Sequence, residues 1–134
     1  MTPVNRTTLR RTLATTLALA ALGTASLVCA GPADALGKDG NLEPGELGLY
    51  YAQNRTNLLF DLFYAGNNFA GDRYAANFSI SPNDNTESYW NRDAQTWSVW
   101  TDAYRAGVHG WIPAYTWSNA STNFKNKISS ANPG

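Results

Sequence analysis

From Leu36 onward the chain alternates apolar and polar positions in short bursts, and no stretch holds a helical period. Four bursts are rich in aromatic and β-branched residues: Leu47 to Tyr51, Leu58 to Tyr64, Trp97 to Thr101 and Gly110 to Ile112. Polar turn clusters separate them at Gln53 to Asn57, Ala65 to Asn68, Ser81 to Asn85 and Ser118 to Ser121. Short strands with closely spaced turn signals predict an all-β sandwich or barrel. Upstream the material changes. Arg6, Arg10 and Arg11 precede a charge-free run from Thr12 to Ala30, and Ala33 and Ala35 frame a small-residue cleavage site. This is the pattern of a helical secretory signal over 1–35, cut after Ala35.

Removing that signal changes the composition more than the length. The 134-residue precursor is neutral, with 10 basic and 10 acidic side chains. The remaining 99 residues, 36–134, carry seven basic and nine acidic groups, all 17 aromatics and no cysteine. One domain of ordinary size fits this length. The charge balance argues against a nucleic-acid partner, and no membrane association is expected after cleavage. Exported domains this small usually lean on disulfides. Here aromatic packing, sheet hydrogen bonds or a bound ion must substitute, in a protein expected to be a monomer.

A repeat runs through the domain. Leu49-Tyr50, four residues, Arg55-Thr56-Asn57-Leu58 aligns with Val99-Trp100, four residues, Arg105-Ala106-Gly107-Val108. Asn57 and Gly107 are residue types that tolerate positive φ, as a tight fold-back requires. A competing register sets Tyr64, Phe69 and Gly71 against Trp100, Arg105 and Gly107. The first register uses the whole domain and predicts two Greek-key motifs, about 47–92 and 96–130. Each ends in a polar box, Asn83 to Ser88 and Lys125 to Ser130.

An aromatic, four residues, a large side chain, one residue and Gly, followed later by an Asn/Asp-rich box ending in Ser, resembles the Greek-key unit of the βγ-crystallin superfamily. The order Gly48-Leu49-Tyr50-Tyr51, Asn83 to Arg92 and Phe124 to Ser130 is most similar to small secreted bacterial metalloprotease inhibitors of that fold. The resemblance implies a βγ-crystallin-like sandwich and a secreted zinc endopeptidase as partner. Inhibition would then present the excursion from Tyr64 to Pro82, with Phe69, Tyr74, Phe78 and Ile80 as candidates for a specificity pocket. Family members usually brace that loop with disulfides, and this domain has no cysteine. The superfamily also implies calcium, held by oxygens of Asn83, Asp84, Glu87 and Ser88 and of Asn126, Ser129 and Ser130. Lys125 stands where an acidic or amide residue belongs, so one weak site or none is expected. The competing expectation is that Ser88 and Ser130 close their own loops by hydrogen bonding.

Other chemistry is sparse. Asp39-Gly40-Asn41-Leu42-Glu43-Pro44-Gly45-Glu46 imitates the second half of an EF-hand loop, but Ala35 and Gly37 occupy the positions of its first two ligands. It reads as a polar lead-in. His109 is the only histidine, no spacing singles out a carboxylate pair among Glu43, Glu46, Asp61 and Glu87, and no enzyme is expected. Five tryptophans allow a carbohydrate-binding surface, although alternation is expected to turn Tyr50, Phe60, Trp100 and Trp111 inward.

Overall fold

The computed structural model describes residues 37–73 and 80–134. The expected signal, Tyr74 and Phe78 lie outside the described residues. Strand β1 (Leu47–Ala52) forms an antiparallel hairpin with β2 (Thr56–Leu62). After β3 (Ser88–Asn91), a second hairpin joins β4 (Trp97–Asp102) to β5 (Ala106–Ile112), offset by 50 residues from the first at both ends. The two turns are conformational twins. Asn54, Arg55 and Asn57 have φ of 57°, 57° and 58°, while Tyr104, Arg105 and Gly107 have 58°, 63° and 80°. The first repeat register is therefore the one the fold uses. In the competing register Phe69–Gly71 would open a strand, but it forms a 3-10 turn.

Strands β3 and β7 (Ser130–Pro133) each pair with the first strand of their own half. The remaining edges are exchanged. Strand β6 (Trp117–Asn119), from the second half, pairs with β3 of the first. In return Gly66, from the first half, bridges Ala131 of β7, with both backbone hydrogen bonds at 2.9 Å. The result is one sheet ordered β2-β1-β3-β6 and a second ordered β5-β4-β7, extended by the Gly66 bridge.

Between the sheets lie Leu47, Leu49, Leu59, Phe60, Leu62, Phe69, Trp97, Val99, Ile112, Ile128 and Ala131. Side chains alternate across a strand, so Leu47 and Leu49 point inward with Trp97 and Val99, their equivalents 50 residues on. The β1–β2 register shifts between Leu49 and Tyr50, and this bulge lets both Leu59 and Phe60 be buried. Phe60 and Phe69 meet edge to face at 5.1 Å. Each large apolar side chain buried here contributes about 1.5–3 kcal/mol. The Trp97 indole N–H donates to Asp93 Oδ2 at 3.0 Å, so its polar edge is satisfied. Buried Asn91 ties the two sheets together by donating from Nδ2 to the carbonyls of Gln95, Ile112 and Pro113 at 2.8, 3.1 and 3.0 Å.

Candidate functional site

The two polar boxes lie side by side across the domain. Asp84 N–H donates to Ile128 O at 3.1 Å, and Asn126 N–H donates to Thr86 O at 2.8 Å. Asp84 and Asn126 occupy equivalent positions and share a left-handed backbone, with φ of 58° and 55°. Their side chains cross over. Ser129 Oγ donates to Asp84 Oδ1 at 2.9 Å, and Asn126 Nδ2 donates to Glu87 Oε1 at 3.3 Å. Asn83 Nδ2 donates to the other Asp84 oxygen at 3.0 Å. Lys125 Nζ stands 3.6 Å from Glu87 Oε2, placing a fixed positive charge beside that carboxylate. Each box's last serine reaches its own hairpin. Ser88 Oγ donates to Ala52 O at 2.6 Å and accepts from Arg55 N–H at 3.0 Å; Ser130 Oγ donates to Asp102 O at 2.7 Å and accepts from Arg105 N–H at 3.2 Å. Ser88 and Ser130 thus tie strands β3 and β7 to the strained turns of their halves.

The outer sheet faces carry most of the tryptophan. Trp97 and Val99 take the inward positions of β4, so period two turns Trp100 outward; Trp111, between buried Gly110 and Ile112, is 66% exposed. The expected inward placement of Trp100 and Trp111 is corrected on that ground, whereas Phe60 is in the core; Tyr50 is buried but lies outside the core cluster, near Arg55 and Arg92. Trp100 stacks on His109 at 4.6 Å and 6°, and Trp111 also contacts the imidazole at 4.4 Å, tilted by 54°. A cleft lined by Trp111, Tyr89, Phe124 and Ser118 opens beside this row. On the opposite sheet the Arg55 guanidinium is clasped between Trp90 at 4.7 Å and Trp117 at 4.2 Å, with Arg92 also over Trp90 at 5.1 Å. Burial raises the Tyr50 hydroxyl above its ordinary pKa, while the charges of Arg55 and Arg92 oppose that rise. Nothing in the spacing of Arg55, Trp90 and Trp117 announces this stack, because three separate strands or turns supply it.

The lead-in from Gly37 to Glu46 folds over the outer face of the first sheet. Asp61 of β2 anchors it, accepting from Asp39 N–H at 3.1 Å and from Gly40 N–H at 3.0 Å. Glu46 Oε2 accepts from Glu43 N–H at 2.8 Å. The carboxylates of Asp39, Glu43 and Asp61 therefore gather in one place with Glu46 beside Glu43, and Asp61 and Glu46 are almost wholly buried. Burial, with the adjoining Glu43 carboxyl and the charge of Asp61, pushes Glu46 up to about 7. Burial likewise raises Asp61, against the pull of its two backbone donors.

Two solved structures share this architecture. One, described under the evolution of the eye-lens βγ-crystallin domain fold, is 20% identical with a TM-score of 0.58, covering 71% of this chain and 90% of that one. The other, a βγ-crystallin from Ciona intestinalis, is 16% identical with a TM-score of 0.52, covering 67% of this chain and all of that one. The domain has the βγ-crystallin fold. Within it, residues 63–112 match the model of peptidase inhibitor family I36, and no curated protein matches the chain.

The matched segment begins at the root of the long excursion of the βγ-crystallin domain. Asn68 Oδ1 accepts from Ala70 N–H, Phe69 N–H donates to Ser129 O at 3.0 Å, and Tyr104 N–H donates to Asn67 O at 2.6 Å. Phe69 is 0% exposed. It anchors the excursion in the core and is not a projecting side chain, because Gly66 leaves the room that its ring fills. Ile80 is partly buried against the same core, and Pro82 is buried. Both ends of the excursion are thus fixed without a disulfide. Tyr74 and Phe78 lie in the stretch between them, outside the described residues.

Proposed function

We propose that this protein is a secreted peptidase inhibitor directed at a zinc endopeptidase, bound through the excursion between Phe69 and Ile80. The observation that carries the reading is the match of residues 63–112 to peptidase inhibitor family I36, a segment that opens on this excursion. Its physical support is preorganisation. An inhibitory loop gains affinity when its ends are held before binding; Phe69 and Gly66 hold one end by packing and backbone hydrogen bonds, and Pro82 is buried at the other. Tyr74 and Phe78 supply the bulky side chains for a hydrophobic specificity pocket. Titration of a thermolysin-like enzyme with the purified protein tests this. Stoichiometric loss of activity is expected, weakened by Phe78→Ala. Unchanged turnover at large molar excess overturns it, and inhibition of a serine peptidase alone would keep the inhibitor and reject the zinc target.

The Trp100–His109–Trp111 row favours a second reading, a carbohydrate-binding surface, because exposed aromatic faces stack on sugar rings. Retention on an insoluble polysaccharide, abolished by Trp111→Ala, is its expected signature; passage unretarded excludes it.

A further inference from the structure

The lead-in is more than a polar tail, because the fold supplies the ligands that its linear pattern lacks. Asp39, Glu43 and Asp61 present carboxylate oxygens that all lie within 4.8 Å of one another. Two ligands of one ion held at about 2.4 Å can stand no farther apart than that. Backbone N–H groups orient three of the carboxylates by one or both oxygens: Asn41 N–H on Asp39, Asp39 and Gly40 N–H on Asp61, and Glu43 N–H on Glu46.

What remains is an unsatisfied centre. Glu46 is 0% exposed, and its Oε1 has no hydrogen-bond partner. Its carboxyl adjoins that of Glu43, whose Oε2 is equally buried and unpartnered. A buried carboxylate without a donor is costly, and several facing each other are worse. Among the described residues no Lys or Arg lies within ion-pair distance of any of the four. The two nearby cations are engaged elsewhere: Lys38 with Asp72 at 2.9 Å, and Arg92 with Leu42 O at 2.6 Å and the Trp90 ring.

We propose that Asp39, Glu43 and Asp61 form a divalent-cation site, with Ca²⁺ as its ion and the unpartnered Glu46 oxygen beside it. The donor set is all oxygen, without His or Cys, which selects hard cations over zinc. It is built on a turning loop with Gly40 and Gly45 at φ of 90° and 95°, and a loop of this kind accommodates the larger, less demanding coordination sphere of Ca²⁺ more readily than the strict octahedron of Mg²⁺. The site is separate from the two polar boxes. It would clamp the lead-in to β2 and do part of the bracing that a disulfide provides in other exported domains.

Calorimetric titration of the purified protein with CaCl₂ at pH 8, alongside melting in chelator and in millimolar Ca²⁺, tests the assignment. One ion per chain and a raised melting temperature are expected, with weaker effects from Mg²⁺. Asp39→Asn, at an exposed position, and Glu43→Gln should each weaken binding about tenfold or more, while Asp84→Asn in the first polar box leaves it unchanged. Absence of both binding heat and melting shift at millimolar Ca²⁺ overturns the proposal. So does binding that survives Asp39→Asn and Glu43→Gln but is lost in Asp84→Asn.

Discussion

Leu42 fills the space that Gly48 leaves on the outer face of the first sheet: a Cβ at position 48 would lie 2.7 Å from Leu42 Cδ2 and 3.3 Å from Leu58 Cδ1. This knob in a hole packs the lead-in onto β1. Gly48→Ala should therefore cost about 1–3 kcal/mol by overpacking. The cost should shrink in a Leu42→Ala background, a coupling that denaturant unfolding of the four variants measures as a double-mutant cycle.

The twin turns give a sharper contrast. At Gly107 the backbone φ is 80°, and a Cβ would collide with Thr101 Oγ1 and Asp102. Gly107→Ala should destabilise by more than the roughly 1–2 kcal/mol of the left-handed backbone alone. Asn57→Gly, at the matching position of the first half, should be nearly neutral or mildly stabilising in thermal unfolding.

Ser88→Ala and Ser130→Ala should each cost about 1–3 kcal/mol, because each leaves a turn N–H and a strand carbonyl without the partner it had. Each hydroxyl serves a different hairpin and they share no partner, so the double variant should lose close to the sum in urea unfolding.

Glu46 sets a pH dependence in metal-free protein. Its folded pKa of about 7 lies above the ordinary 4.5, so the folded state holds the proton more tightly than the unfolded one. The stabilisation is fully present below pH 4.5 and is lost as pH rises through 7, an effect on the order of 3 kcal/mol. The raised Asp61 acts in the same direction. In chelator, the stability of Glu46→Gln relative to wild type should therefore increase from pH 4.5 to pH 7 and then level off. A difference that stays flat with pH would contradict the burial-driven shift.

Trp97 and Trp111 should behave as opposites. Trp97 is fully buried, and its replacement by Ala should cost about 3–5 kcal/mol. Trp111→Ala should stay within about 0.5 kcal/mol of wild type in the same unfolding assay.

The hairpin duplication was legible in the sequence because Asn57 and Gly107 mark the same backbone need at the same place in each half. The equivalence of the polar boxes was legible for a similar reason, since both end in a serine with a fixed local task. Trp100 and Trp111 misled because alternation separates two faces without saying which is the inner one: Trp97, Val99, Gly110 and Ile112 take the inner positions. Phe69 misled in the opposite sense, since a long polar excursion hides one core anchor. The acidic centre could not be read along the chain. Asp39 and Asp61 meet only because β2 returns beneath the lead-in, and hairpin geometry rather than spacing makes them neighbours.

The exchange of edge strands makes the two halves interdependent. Cut after β3, the first half would leave β3 without β6 at its side and Gly66 without the backbone of Ala131. An isolated half would expose those backbone groups on an open edge. Joining the halves in one chain therefore supplies each with the backbone edge it lacks, without recruiting a second molecule.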